Sequence, residues 1–262
     1  MHIKTLILYT LLLCLSCHDN IISPSNLKIT SQARTPDPAM DANPYHKINE
    51  IPLPVGFQRA RGIEASFTGW LRNVKLKQDK TVYDGQPKGN QEAQFAVLDI
   101  SVGDQDLQHC ADAVMRIRAE YLFSAGRYQD IHFADYAGKN YQFSEPYTHE
   151  NLWRYLQKVF SRCGSASLAK QLNSISFKDI QLGDVIIRGG FPGHAATVMD
   201  VATNKDGMKI YQLAQSFMPA QDIHVLVNPA DSNLSPWYLC NNKPLVETPE
   251  YIFKKDELMR WP

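Results

Sequence analysis

The sequence predicts an α+β fold with helices packed on an antiparallel sheet in the C-terminal half. Two helix-periodic segments occupy the middle of the chain, and a run of consecutive strand-like segments follows them. Helices followed by consecutive strands favour an antiparallel sheet over a βαβ alternation. The chain has 262 residues, 44% of them hydrophobic, enough to bury one good-sized core or two small ones. Neither a GxGxxG nor a P-loop spacing is present, so nucleotide binding has no support.

Taken in order, residues 1–17 read as an export signal. Lys4 precedes an apolar stretch from Leu6 to Leu15, and Ser16-Cys17 follows it. The stretch is too short to span a membrane as a helix and has the layout of a secretory signal. A small residue followed directly by cysteine resembles the lipobox of bacterial lipoproteins, with Cys14 where a Leu is usual. That resemblance implies lipidation at Cys17 and a membrane anchor made of several acyl chains; a plain signal peptide cut elsewhere is the alternative. His18, rather than Asp, follows Cys17, which points to an exported protein held at the outer membrane. Residues 18–46 are rich in Ser, Asn and Pro and read as a flexible tether. Residues 47–262 read as one globular α+β domain.

Within that domain, "SFTGWLRNVKL" (66–76) reads as a short helix leading into a strand, and "QFAVLDISV" (94–102) as a half-buried strand. A long helix is expected from Asp106, its N-cap, to a stop at Gly126. Its apolar stripe is Leu107, Cys110, Ala111, Val114, Ile117 and Tyr121. A second helix is expected over 149–164. Strands are expected at 182–188, 194–201, 208–217 and 222–228, separated by turn-forming residues.

Composition narrows the function. Lys+Arg and Asp+Glu balance at 27 each, without the basic excess of a nucleic-acid binder. No metal-ligand spacing appears among the eight histidines, so no metal and no cofactor are expected. Without the signal, Cys110, Cys163 and Cys240 remain; a 163–240 disulfide would leave Cys110 free, but spacing does not establish that pairing.

The chemistry-bearing residues are Cys110, His194 and Gln215. Cys110 lies early in its helix, where backbone amides favour a thiolate. His194 opens a strand behind a Gly-Pro turn. Gln215 is the polar exception on one face of the next strand, placed to hold an imidazole in one tautomer, as the third member of a catalytic triad does. Each also has an ordinary structural reading, since buried cysteine behaves as a small hydrophobe and buried histidine is commonly satisfied within a core. Gln105 and Gln108 are side-chain candidates for an oxyanion hole. Tyr211, Phe217 and Trp237 could line a groove or pack the core.

Two family resemblances bear on these residues. "LGDVIIRGGFPGHAATVMDVA" (182–202) resembles the Gly-Asp and Gly-His strands of papain-like cell-wall hydrolases, the NlpC-type endopeptidases and CHAP amidases. The order Cys110, His194, Gln215 is similar to their order of helix cysteine, strand histidine and polar residue on the next strand. Where NlpC-type enzymes carry Asp-Cys-Ser or Asp-Cys-Gly, this chain has "QHCADA". The resemblance implies a papain-like fold and hydrolysis of amide bonds, with peptidoglycan peptides as the suggested substrate. "DISVGDQDLQHCADAVMRIRAEYL", "FPGHAATVMDVA" and "LAQSFMPAQDIHVL" resemble a bacterial lipoprotein family of unknown function, domain of unknown function 4846, over most of 48–240. That family implies no activity. The alternative to a cysteine hydrolase is an envelope lipoprotein that uses the same scaffold as a binding module.

Overall fold

The computed structural model describes residues 42–59, 66–83 and 87–262. The export signal, Cys17 and the tether up to residue 41 lie outside the described residues. The described residues belong to one compact unit, which holds all the elements below. Its ordered chain starts before residue 47. Ala42 bridges Asp79, and the Asn43 N–H donates to the Gln78 carbonyl at 2.7 Å. The last five residues assigned to the tether are therefore pinned to the domain.

The elements in chain order are strand β1 (Phe57–Arg59), helix α1 (Phe67–Arg72), β2 (Gln94–Val97), α2 (Cys110–Ser124), β3 (His132–Ala134) and β4 (Asn140–Gln142). Helices α3 (His149–Phe160) and α4 (Ser165–Ala169) come next, then β5 (Asn173–Ser174), β6 (Val185–Arg188), β7 (His194–Asn204), β8 (Lys209–Gln215) and β9 (His224–Leu226). The chain ends with β10 (Tyr238–Leu239), β11 (Leu245–Glu247), β12 (Ile252–Lys254) and β13 (Leu258–Arg260). Among the described residues, one sheet has the order β2-β9-β8-β7-β6-β13-β5, with β1 added on β7 and β10 on β8. Its pairs are antiparallel. The protein is thus a sheet-rich mixture of helices and antiparallel strands.

Side-chain alternation along β6 and β7 sends neighbouring residues to opposite faces. Val185, Ile187 and Ala195 pack with Ala111 and Val114 of α2 and with Leu152 and Leu156 of α3. Ile186, Ala196 and Val198 pack on the other face with Leu213, Val246 and Phe253, under the β11–β12 hairpin. The register of β7 against β8 shifts between Val198 and Asp200. This bulge leaves Met199 and Asp200 together on the helix side, where Asp200 meets Arg72 of α1 at 2.9 Å and Arg59 of β1 at 2.5 Å.

Two expectations about the helices change. Helix α2 starts at Cys110 with His109 as its N-cap residue, not at Asp106. Asp106 instead accepts from the Ala220 N–H at 2.7 Å and pairs with the His109 ring at 2.9 Å, tying the approach to α2 onto the loop after β8. Burial also extends around α2 beyond one stripe, taking in Ala113, Met115, Ala119 and Leu122, because sheet and helices enclose it. The 149–164 segment ends as a helix at Phe160, and α4 follows after Gly164. Gly126 holds φ +69° just past α2, the left-handed conformation in which a helix commonly stops.

Candidate active site

Strand β7 opens at His194 because the chain before it passes under α4. A Cβ on Gly193 would stand 2.1 Å from Ser165 Oγ and 2.6 Å from the Arg188 carbonyl oxygen, so glycine alone fits that approach. His194 is then paired in register with Arg188 of β6. Its imidazole lies on the hairpin face, 4.7 Å from the Tyr251 ring centre, 5.0 Å from Phe217 and 5.5 Å from Phe253. Nε2 is 2.7 Å from Gln215 Oε1. Burial pushes the His194 pKa down to about 4, outweighing the hydrogen bond to Gln215 and the charge of Glu250, which both favour the imidazolium.

Gln215 does not end the polar chain. Its Nε2 donates to Glu250 Oε2 at 2.9 Å, and Lys88 Nζ donates to Glu250 Oε1 at 2.5 Å. Glu250 and Lys88 were not among the residues picked from the sequence. Both come from connecting segments, one beside the β11–β12 turn and one before β2, and nothing in local periodicity pairs them with Gln215. A second buried histidine was also missed. His224 lies opposite Gln215 in register and is fully enclosed. Its Nδ1 donates to the Asp222 carbonyl at 2.9 Å, and among the described residues its Nε2 has no partner. Burial pushes this ring down to about 4 as well.

Cys110 is the first residue of α2 and is half-buried against the helix-side core. Backbone N–H groups of Ala111 and Ala195 point at its sulfur and favour the thiolate. Burial first, and the neighbouring Asp112 carboxylate second, outweigh them and push the thiol up to about 11. The contact with Ala195, the residue after His194, brings the sulfur to the end of β7 from the helix face. The imidazole reaches the same end from the hairpin face. No hydrogen bond joins Cys110 to His194 among the described residues, and Nδ1 of His194 has no partner there.

The two oxyanion-hole candidates part company. Gln108 is completely buried, its Nε2 3.4 Å from the Gln221 carbonyl oxygen and its Oε1 without a partner among the described residues. Gln105 is exposed. The Ser216 hydroxyl stands 2.9 Å from the Gln108 carbonyl oxygen and 2.8 Å from that of Gln221, donating to one at a time, and ties this loop to the end of β8. Of the groove candidates, only Phe217 lies beside the imidazole. Tyr211 is buried further along β8, stacked on Tyr238 at 5.5 Å. Trp237 is buried against Ala202 and Ile210, its indole N–H donating to the Pro52 carbonyl at 2.8 Å. Trp237 packs in the core, while Tyr211 also lines a cavity with Asn228 and Tyr238, away from the imidazole.

Cys110, Cys163 and Cys240 are all free thiols. Cys163 packs in the helix-side core and Cys240 on the hairpin side, so the sheet separates the pair that could have formed a disulfide. Among the described residues, no three His, Cys, Asp or Glu side chains converge as a metal site, and no helix is long and apolar enough to cross a membrane.

No curated protein and no solved structure matches the chain. A family model does, over residues 48–147 and 142–260, which take in α2, the Gly-His strand and the Glu250 turn together. By that match the chain belongs to the family defined by domain of unknown function 4846.

Proposed function

We propose that this protein is an envelope lipoprotein whose folded domain is a papain-like cysteine hydrolase acting on amide bonds. The observation that carries the proposal is the anchoring of His194 Nε2 by Gln215 at 2.7 Å, which leaves Nδ1 for a thiol, with the Cys110 sulfur drawn to the Ala195 N–H one residue away. In this mechanism Nδ1 takes the Cys110 proton as the sulfur attacks the carbonyl carbon. The carbonyl π electrons move to oxygen, and Gln108 and the first N–H groups of α2 are the donors at hand for that oxyanion. The Nδ1 proton then passes to the leaving nitrogen as the C–N bond breaks. Water, deprotonated by His194, finally releases the acyl group from sulfur. Peptidoglycan stem peptides are the substrate class that fits an envelope location.

A second reading has its own observation. With the thiol held near 11 and the imidazole near 4, both groups are neutral at pH 7, and they are not hydrogen-bonded. That resting state also suits a binding module without turnover.

Alkylation by iodoacetamide, followed residue by residue by mass spectrometry in the native soluble domain, separates the two. Under the hydrolase reading Cys110 is modified in the folded protein. His194→Ala then slows that reaction about a hundredfold or more, the low end of what a positioned base supplies, and leaves Cys240 unaffected. Modification of Cys110 only after denaturation, or a rate indifferent to His194, sinks the hydrolase. Anchoring is tested apart from this: radiolabelled palmitate is expected in the full-length chain and absent from Cys17→Ala, and equal label in both refutes lipidation at Cys17.

A further inference from the structure

Behind the imidazole runs a line of hydrogen-bonding groups whose direction is set at its far end. Lys88 Nζ contacts Glu250 Oε1 at 2.5 Å, and Asn90 Nδ2 reaches the same oxygen at 3.4 Å. Gln215 Nε2 takes the other oxygen, Oε2, at 2.9 Å, and Gln215 Oε1 faces His194 Nε2 at 2.7 Å. Lys88 and Glu250 keep only 11% and 13% of their side-chain surface exposed, so little water competes for these positions.

Each link has only one way to point. An ammonium donates and never accepts, and a carboxylate paired with it accepts and never donates. Glu250 therefore requires the amide NH₂ of Gln215 and refuses its carbonyl. The two ends of a carboxamide lie on opposite sides of one planar group, so the carbonyl must face His194. A carbonyl oxygen only accepts, and the ring nitrogen opposite it must carry the proton. We infer that the Lys88–Glu250 ion pair positions the His194 ring, fixing its neutral form as the Nε2–H tautomer and leaving the Nδ1 lone pair turned away from the relay. Glu250 is a positioning residue acting through Gln215, and Lys88 acts through Glu250. His224 reinforces the one-way order. Its Nδ1 proton goes to the Asp222 carbonyl, so the Nε2 it turns to the core is a lone pair that offers Glu250 no competing donor.

The inference concerns the ring itself and rests on the hydrolase reading only for its catalytic consequence, a base at Nδ1. Its test is long-range proton–nitrogen NMR of the imidazoles in uniformly labelled folded domain, which separates protonated from bare ring nitrogens. The wild-type His194 ring is expected in the Nε2–H form. In Glu250→Gln the new amide can donate to Gln215 and let it flip, so the Nδ1–H form becomes populated. In Glu250→Asp the acceptor-only character survives and the Nε2–H form persists. A purely structural role predicts the reverse, because Gln is the closer match in shape. If Glu250→Gln fails to fold, Glu250→Leu, which removes the acceptor that selects the NH₂ end of Gln215, is read in the same way. An Nδ1–H ring in the wild type, or a folded Glu250→Gln with its ring unchanged, overturns the inference. An Nε2–H ring beside an inert Cys110 would keep the inference and remove the hydrolase. An Nδ1–H ring would overturn the inference, and if Cys110 alkylation still depended on His194 the thiol would be served by the other ring nitrogen.

Discussion

Cys110 shows how opposing effects of similar kind are weighed at a single residue. A cysteine at the first position of a helix is surrounded by N–H groups without intrahelical partners, which lowers a thiol pKa. Here Ala111 of that turn and Ala195 of β7 supply N–H groups, yet the thiol is pushed up to about 11, because burial and, second to it, the Asp112 carboxylate two residues along outweigh them. Asp112 sits there as a cap, its Oδ2 accepting the His109 N–H at 3.0 Å. Asp112→Asn keeps an oxygen for that cap and removes the charge. The pH midpoint of Cys110 alkylation is expected to fall in this variant. An unchanged midpoint would leave burial as the whole cause.

At the scale of elements, what could be read from the sequence followed the reach of each signal. Strand β7 and its partner β8 were visible because alternation, a Gly-Pro turn before and an Asn-Lys-Asp-Gly turn between are local patterns. From them the pairing of His194 with Gln215 followed by counting faces, and the side chains do meet at 2.7 Å. The start of α2 was misplaced by three residues because Asp106 has the chemistry of a cap but uses it on Ala220, 114 residues away. Strands β10 to β13 are two or three residues long, below any useful period. Yet the β11–β12 hairpin delivers both the aromatic cover of His194 and the turn that carries Glu250. The polar relay was illegible for the same reason. Lys88 and Glu250 are 162 residues apart and sit in segments with no pattern of their own. Trp237 and Tyr211 were ambiguous between groove and core because an aromatic residue's composition signal is the same in both places.

Across the whole molecule, the sheet divides the interior into a helix side and a hairpin side, and two neutral histidines lie buried on the hairpin side. His194 and His224 both have pKa values pushed from about 6.5 down to about 4 by burial. Between those pH values the unfolded chain binds more protons than the folded one, so their stabilising effect is complete above about 6.5 and is lost as pH falls towards 4. Asp112 works in the opposite sense. Its carboxyl is pushed well above the usual range by burial, so it favours the fold as pH falls through its raised value. Total acid stability therefore mixes the two, and a difference between variants isolates one. His224→Asn keeps a donor for the Asp222 carbonyl and removes one titrating ring. A group titrating at 4 when folded and 6.5 when unfolded loses about 2 kcal/mol of stabilisation between pH 7 and pH 5. In urea titrations, the stability gap between wild type and His224→Asn is expected to shift by about that amount in favour of the variant over this interval. Parallel losses in both proteins would mean that His224 is already charged in the fold, and that the ring's unpartnered Nε2 holds a proton that Lys88 and the surrounding core should exclude.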